Sequence, residues 1–347
     1  DRAAFRGGLT RLAWETGREL PDVTRRASRY LREIAATHSP YVIDIVAHFA
    51  RALYTRGYGD RLNYDRAQLE HTYALAQRAP VVFLPSHKSN LDHLVLRWAL
   101  YENGHPPNHT AGGINMNFLP MGPLLRRSGV FFIRRTFKDN PIYKFVLGQY
   151  IDYLVEKRFP LEWYIEGGRS RSGKLLPPRF GLLAYVVDAY RRAKSEDVWL
   201  IPVSIGYDQI QDVGSYVSEQ RGGPKERESF SWFLRMFRML KRRYGEIYIR
   251  FGEPVSLRDT LGVATEQTPR DEHDIALQKL AFEVSVRINR VTPITATSLV
   301  TLALLGAGDR ALSLDETVRA VQSLCDYVRR RELPTTESPE GDTPDGI

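Results

Sequence analysis

The chain has a single cysteine, Cys325, among 347 residues. A lone thiol excludes an internal disulfide and a cysteine-rich zinc site, and it fits a cytoplasmic setting. Cys325 lies in a late helical segment away from every motif, so it reads as structural. Long apolar runs are equally scarce. The longest weakly polar stretch, residues 291–308, is broken by threonines and by Pro293. It falls short of the roughly 20 apolar residues that a spanning helix needs. The expectation is therefore no ordinary transmembrane helix, which leaves open lying on a membrane surface. Residues 1–20 are studded with charge and lack a continuous apolar core, so they do not read as a secretory signal. An opening at Asp1 rather than Met fits a processed or trimmed chain. No internal repeat is visible.

What the chain does carry is positive charge, a formal net of +8. Such a surface attracts phosphorylated substrates, an acidic protein, nucleic acid or acidic lipid, and charge alone does not choose among them. The length allows one large or two medium domains. Apolar residues recur at three- and four-residue spacing over 25–36, 41–54 and 65–76, which predicts a helical N-terminal region over residues 1–78. Ser39-Pro40 and Asn63-Tyr64-Asp65 are plausible helix starts. From residue 79 the period changes. Strand-like runs at 81–84, 130–133, 161–165, 198–205 and 246–251 alternate with helical stretches at 92–101, 142–157, 182–193 and 230–244. This predicts an α/β domain over 79–260, a mixed, largely parallel sheet flanked by helices. Residues 261–331 read as a C-terminal helical region, helical from 275 onward. Residues 332–347, rich in Pro, Glu, Thr, Asp and Gly, read as a disordered tail.

The most informative stretch is Leu84-Pro85-Ser86-His87-Lys88-Ser89-Asn90-Leu91-Asp92-His93, between an apolar strand and a helix. Functional residues favour such turns. An aspartate five residues after a histidine, across the first helical turn, can fold back onto one ring nitrogen while the other faces substrate. That is a general base held by an orienting acid. By itself the spacing is weak, since most histidines are surface or satisfied core residues. His93 adjoins Asp92 and should point elsewhere, so no metal site is read here.

Further along, residues 129–136 end a strand in Arg134 and Arg135, at the strand end where open α/β sheets bind ligands. Alternation sends the two to opposite sides, so one faces the site; the bland reading is a surface pair. In Tyr164-Ile165-Glu166-Gly167-Gly168-Arg169-Ser170-Arg171-Ser172-Gly173-Lys174, glycines allow close backbone approach and basic residues suit a phosphate. The stretch nearly matches a nucleotide-binding P-loop. However, Leu175 lacks the magnesium-binding hydroxyl and Pro177-Pro178 obstruct the required helix. A nucleophile elbow fails too, because Ser172 stands where glycine is needed. Glu166 is either a catalytic acid or a holder of basic groups and backbone amides. In Leu200-Ile201-Pro202-Val203-Ser204, proline marks an edge strand or a local distortion, lining an acyl chain or simply core.

These four blocks, in this order, resemble the glycerolipid acyltransferase family. Ala111-Gly112-Gly113-Ile114-Asn115-Met116-Asn117-Phe118, Phe131-Phe132-Ile133-Arg134-Arg135-Thr136-Phe137-Lys138 and Glu166-Gly167-Gly168-Arg169-Ser170-Arg171 are similar to its bacterial, membrane-associated glycerol-3-phosphate acyltransferase branch, the PlsB type. The likeness covers roughly residues 79–330. It implies transfer of a fatty acyl group from acyl-CoA or acyl carrier protein to the sn-1 hydroxyl of glycerol 3-phosphate, the first step of phospholipid synthesis, at the cytoplasmic face of the inner membrane. Carried over, His87 is the base and Asp92 its partner. Lys88, Arg135, Glu166, Gly167, Arg169 and Ser170 belong to the glycerol-phosphate site, and Ile201, Pro202 and Val203 form the fourth block. Ser86 stands where lysophosphatidate acyltransferases usually have asparagine, and the N-terminal region is shorter than in larger bacterial members.

Chemistry read from the residues agrees. A thioester is already activated, so transfer to an alcohol needs a base, oxyanion donors and cations for the phosphate. No serine or cysteine is evidently placed to be acylated, which favours direct transfer without an acyl-enzyme, and no cofactor is required. On a helical wheel Trp232, Phe233, Met236 and Phe237 share a face opposite Arg235, Arg238 and Lys241. That pattern suits peripheral or monotopic contact with a lipid surface, or an ordinary helix packed on the sheet. The alternatives are acylation of dihydroxyacetone phosphate or lysophosphatidate, or a non-enzymatic basic binding module. No nucleic-acid motif is found.

Overall fold

A computed structural model describes residues 2–60, 62–221, 242–263 and 270–336. Three helices open the chain: α1 (Arg2–Thr16), α2 (Leu20–Ile34) and α3 (Pro40–Tyr58). In α2, Val23, Ala27, Tyr30 and Ile34 recur on one buried stripe, and Arg25, Arg29 and Arg32 stay outside it. After β1 (Asn63–Tyr64), Asp65 caps α4 (Arg66–Ala76) by accepting from the amides of Ala67 and Gln68. There follow β2 (Val81–Pro85), α5 (Asp92–Glu102), β3 (His109–Gly113), a single 3₁₀ turn, α6 (Met121–Arg127), β4 (Val130–Ile133) and α7 (Pro141–Glu156). β5 (Leu161–Glu162), α8 (Gly181–Arg191), β6 (Trp199–Tyr207), α9 (Val213–Gln220), β7 (Ile247–Phe251) and β8 (Val255–Ser256) complete the α/β part. The chain closes with α10 (Leu257–Leu261), α11 (Arg270–Arg290), α12 (Ala296–Gly306) and α13 (Leu314–Arg330).

The strands form one sheet in the order β1-β7-β6-β2-β5-β3-β4, with β8 also paired to β6. β6, β2, β5, β3 and β4 run parallel, and β7 and β8 lie antiparallel to β6. The fold is thus the mixed, largely parallel sheet flanked by helices that the alternating periods predict. Side chains on the two faces fill two apolar clusters. One packs α1, α2, α7, α8 and α11 against Val82, Leu84 and Leu200. The other packs α3, α4 and α5 against Phe83, Ile201, Val203 and Ile205. The N-terminal helices therefore share the sheet's own core. A third, smaller cluster joins α12 and α13 and contains Cys325, buried as a structural thiol should be.

Four local readings need correction. β3 carries no apolar run; it pairs because Gly112 leaves room that a Cβ would close, 2.8 Å from Val130 Cγ1 and 2.9 Å from the Met116 methyl. The strand expected over 161–165 stops at Glu162, since the backbone turns there and the Gly167 amide donates to the Tyr164 carbonyl at 2.9 Å. β6 is not an edge strand. It runs between β2 and β7, and Pro202 falls in the gap between the β7 and β8 ladders, where its missing N–H costs no bond. Nor does disorder begin at residue 332: the Ile294 amide donates to the Pro334 carbonyl and Thr336 donates back to Ile294, at 2.8 and 3.2 Å. Residues 337–347 lie outside the described part of the chain, as do 222–241, which hold most of the helix expected over 230–244. Among the described residues no helix is long and apolar enough to cross a membrane.

Candidate active site

The carboxyl ends of the parallel strands carry the site. β2 ends at Pro85, and the turn that follows delivers His87 with a partly exposed ring. His87 Nδ1 lies 2.9 Å from Asp92 Oδ2. The same oxygen accepts from the backbone amides of Lys88 and Ser89, at 2.7 and 2.8 Å. The other carboxylate oxygen accepts from the Tyr207 hydroxyl at 2.6 Å. Asp92 is fully buried, opens α5, and folds back over the turn it caps, where the helix N-terminus favours its charge. With four donors converging, the carboxylate acts only as an acceptor. Nδ1 of His87 must then carry its proton, leaving the Nε2 lone pair to face outward. Burial, with Asp92 beside it, pushes the Tyr207 phenol well above its ordinary range and keeps it a donor.

The ring is fixed from the side as well. Tyr164 stacks on it with centroids 3.8 Å apart and planes 14° from parallel. Main-chain atoms of His87 are held by the loop after β5: its amide donates to Glu166 Oε1 at 2.7 Å, and its carbonyl accepts from the Ser170 amide at 2.7 Å. Glu166 Oε2 accepts from the Leu176 amide at 2.7 Å. Burial raises the Glu166 carboxyl, and these two amides and nearby His87 and Lys88 oppose that shift. Ser170 is buried and turns its hydroxyl to the Lys174 carbonyl, 2.5 Å away. Glu166 and Ser170, which the resemblance puts in the glycerol-phosphate site, fasten one loop to the other, and for Glu166 this is the amide-holding role that the sequence also offered. Gly167 supplies the turn with φ +65°, and a Cβ there would come within 2.8 Å of Arg179 Cγ.

Lys88 is half-buried, and its ammonium makes no ion pair among the described residues. Desolvation lowers its pKa, with Asp92 and Glu166 pulling the other way. Arg169 lies on the Tyr216 ring, 5.7 Å from its centroid, with Nη1 3.9 Å from Asp212 Oδ1. Arg135 is exposed at the carboxyl end of β4, three strands from β2, roughly 14 Å at the usual spacing of about 4.8 Å. Its neighbour Arg134 is committed to structure: Nε and Nη2 bind the two oxygens of Glu33 at 2.6 and 2.7 Å. Alternation had sent only one of this pair toward the site, and Arg135 is the one left available. Ile201 and Val203 are fully buried in the core cluster beneath α5, and the Pro202 carbonyl accepts from the Gly252 amide at 2.8 Å. Of the two readings for the fourth block, core is what these contacts describe. Trp232, Phe233, Met236 and Phe237 lie outside the described residues.

Sequence reasoning passed over Tyr207, Tyr164, Asp212 and Tyr216. Asp212 accepts from Ser89 Oγ at 2.7 Å and from the side-chain amide of Asn90 at 3.0 Å. The Tyr216 hydroxyl donates to the Lys88 carbonyl at 2.7 Å. Tyr207 had one signal, its parity with Val203 and Ile205 on β6, which aims it at the α5 face. Ser86, Ser89 and Ser170 are each engaged: Ser89 and Ser170 donate as above, and Ser86 Oγ accepts from the Ile205 amide at 3.0 Å. Among the described residues no cluster of His, Cys, Asp or Glu is arranged to hold a metal ion.

The buried Asp92 thus holds one nitrogen of the strand-end His87, in the H-x₄-D arrangement that the resemblance implies. Residues 66–206 match the family model described as Acyltransferase, and residues 216–347 match the glycerol-3-phosphate acyltransferase C-terminal region. Over 93% of its length the chain is 40% identical to an acyltransferase named plsB1 from Mycobacterium tuberculosis, spanning 51% of that protein. It is 36% identical over 92% of its length to a glycerol-3-phosphate acyltransferase of Aeromonas hydrophila, spanning 40% of that protein. The chain thus spans 51% and 40% of the length of these relatives. The crystal structure of the 1-acyl-sn-glycerophosphate (LPA) acyltransferase PlsC from Thermotoga maritima aligns over 82% of this chain and 95% of that one. At 15% identity and a TM-score of 0.40, that likeness is too slight to carry an argument. The chain belongs to the glycerol-3-phosphate acyltransferase family of the PlsB type.

Proposed function

We propose that this chain transfers a fatty acyl group from an acyl thioester, acyl-CoA or acyl carrier protein, to the sn-1 hydroxyl of glycerol 3-phosphate. The observation that carries the reading is the outward Nε2 of His87, backed by Asp92 at 2.9 Å. Nε2 takes the proton of the sugar-alcohol hydroxyl as its oxygen attacks the thioester carbonyl. The imidazolium so formed faces Asp92, and it returns the proton to the sulfur as the C–S bond breaks. Transfer is direct, because the neighbouring serine hydroxyls are bound elsewhere and Cys325 lies in a separate cluster. Lys88, Arg135 and Arg169 supply cations for the phosphate. The reaction takes place at the cytoplasmic face of the membrane, in line with the resemblance and the basic net charge.

The test is to offer the purified protein, in detergent or lipid, a long-chain acyl-CoA or acyl carrier protein with glycerol 3-phosphate, lysophosphatidate or dihydroxyacetone phosphate. Product with glycerol 3-phosphate, acylated at the sn-1 position, is expected. Product only with another acceptor would reassign the substrate, and none with any pair would overturn the enzymatic reading.

A further inference from the structure

Beneath the sheet face that α3 and α5 cover, a cavity of about 480 Å³ opens at the exposed turn Gly104–Pro107. That volume falls within the roughly 300–1,000 Å³ usual for small-molecule sites. Its walls are mostly apolar, from Ile43, Leu100, Pro106, Pro107 and Phe159. Into this apolar space α5 places Arg97, only 7% exposed, whose Nη1 and Nη2 are buried and have no hydrogen-bond partner. Oδ1 of Asn108, also on the wall, is likewise unpartnered. A guanidinium stripped of water and left unpaired is costly, and in a finished fold it marks a place where an anion or ordered solvent completes the bonding.

The other charges around it define what fits. Glu162, on the same wall, is already bound by His93 Nδ1 at 3.0 Å, Asn108 Nδ2 at 2.9 Å and Thr110 Oγ1 at 3.4 Å. It therefore leaves the Arg97 nitrogens unbonded. His38 lines the cavity, with the His109 ring tilted against it at a centroid distance of 4.2 Å, and burial holds both imidazoles below their ordinary range, so neither adds a cation. Asp44, also on the wall, is exposed and accepts from the Tyr101 hydroxyl at 3.0 Å. One buried guanidinium beside the buried Glu162 carboxylate suits a single negative charge rather than a phosphate dianion. The apolar walls call for an apolar body behind that charge. We infer that this cavity is a binding site for a carboxylate-headed apolar molecule, a medium-chain fatty carboxylate, seated on Arg97. It is distinct from the His87 site: α5 places Arg97 more than a helical turn beyond Asp92, toward the opposite end of the strands.

The experiment titrates the whole chain with carboxyl-labelled dodecanoate, followed by calorimetry and by the carboxyl carbon resonance. Dodecanol and acetate serve as controls for head and body, and Arg97→Met and Ile43→Phe as variants. Any binding at the His87 site is common to all three proteins and cancels in the comparison. The expected result is dodecanoate binding that weakens about tenfold or more in Arg97→Met, with dodecanol unaffected by that change. Ile43→Phe, which narrows the cavity and keeps the cation, weakens both. Should Arg97→Met fail to fold, the Ile43→Phe comparison still decides. Equal dodecanoate binding by every protein that folds, or none by wild type, would mean that the cavity holds only water and would overturn the assignment.

Discussion

Tyr207 donates its hydroxyl, at 2.6 Å, to the oxygen of Asp92 that His87 does not use. The carboxylate that holds the His87 ring is therefore itself held, from a strand more than a hundred residues away. Tyr207→Phe keeps the ring in the core and removes one charge-assisted bond, worth about 1.5–3 kcal/mol. The expected effect is a fall in kcat of about ten- to a hundredfold, with KM for both substrates near wild type. Steady-state kinetics on the folded variant check it; a change confined to KM would contradict a positioning role.

Glu166 separates a loop fastener from a substrate ligand. Both of its oxygens accept backbone amides, from His87 and Leu176. Glu166→Gln retains one acceptor and turns the other into a donor facing an amide. Thermal unfolding should show a loss of about 1–3 kcal/mol, with lower kcat. A raised KM for glycerol 3-phosphate with unchanged Tm would instead make Glu166 a direct ligand.

Lys88 has the opposite profile. Its desolvated ammonium lacks an ion-pair partner among the described residues, so Lys88→Met should leave Tm unchanged or raise it. KM for glycerol 3-phosphate should rise about tenfold or more while KM for the acyl donor stays put. Arg135→Ala should show the same split without the stability gain, since Arg135 is exposed. Equal effects on both substrates would remove the phosphate role from either residue.

Acid sensitivity should come partly from buried histidines. Burial, with His38 beside it, lowers His109 to about 3, and burial alone lowers His105 to about 4. Between those values and the ordinary pKa near 6.5 the unfolded chain binds more protons than the folded one. Stability is thus complete above about pH 6.5 and declines as pH falls toward 3, by up to about 1.4 kcal/mol per pH unit for each histidine. Denaturant unfolding from pH 7 to pH 4 measures the slope. His109→Leu should flatten it, and an unchanged slope would contradict the assignment.

How much of this was legible depended on local pattern. The β2 and β4 strands, α5 and the His87–Asp92 pair were written in apolar runs and short spacing, and they formed as read. β3 was not, because its pairing rests on Gly112 fitting against Val130, a contact that only the folded sheet creates. Pro202 misled for a related reason: proline signals an edge, yet the break between β7 and β8 spares its missing donor inside the sheet. Tyr207, Asp212 and Tyr216 sit about 120 residues from the loop they brace, beyond the reach of any spacing rule. The motifs thus located the His87–Asp92 pair, while the groups that hold it came from distant chain.

The most direct test of the account is His87→Ala, measured for acyl transfer to glycerol 3-phosphate beside wild type, with unfolding curves to show that the fold is kept. A base contributing in the usual range predicts a loss of kcat of about 10²–10⁴-fold at unchanged Tm. Turnover near wild type in the folded variant would contradict His87 as the proton acceptor, and the mechanism with it.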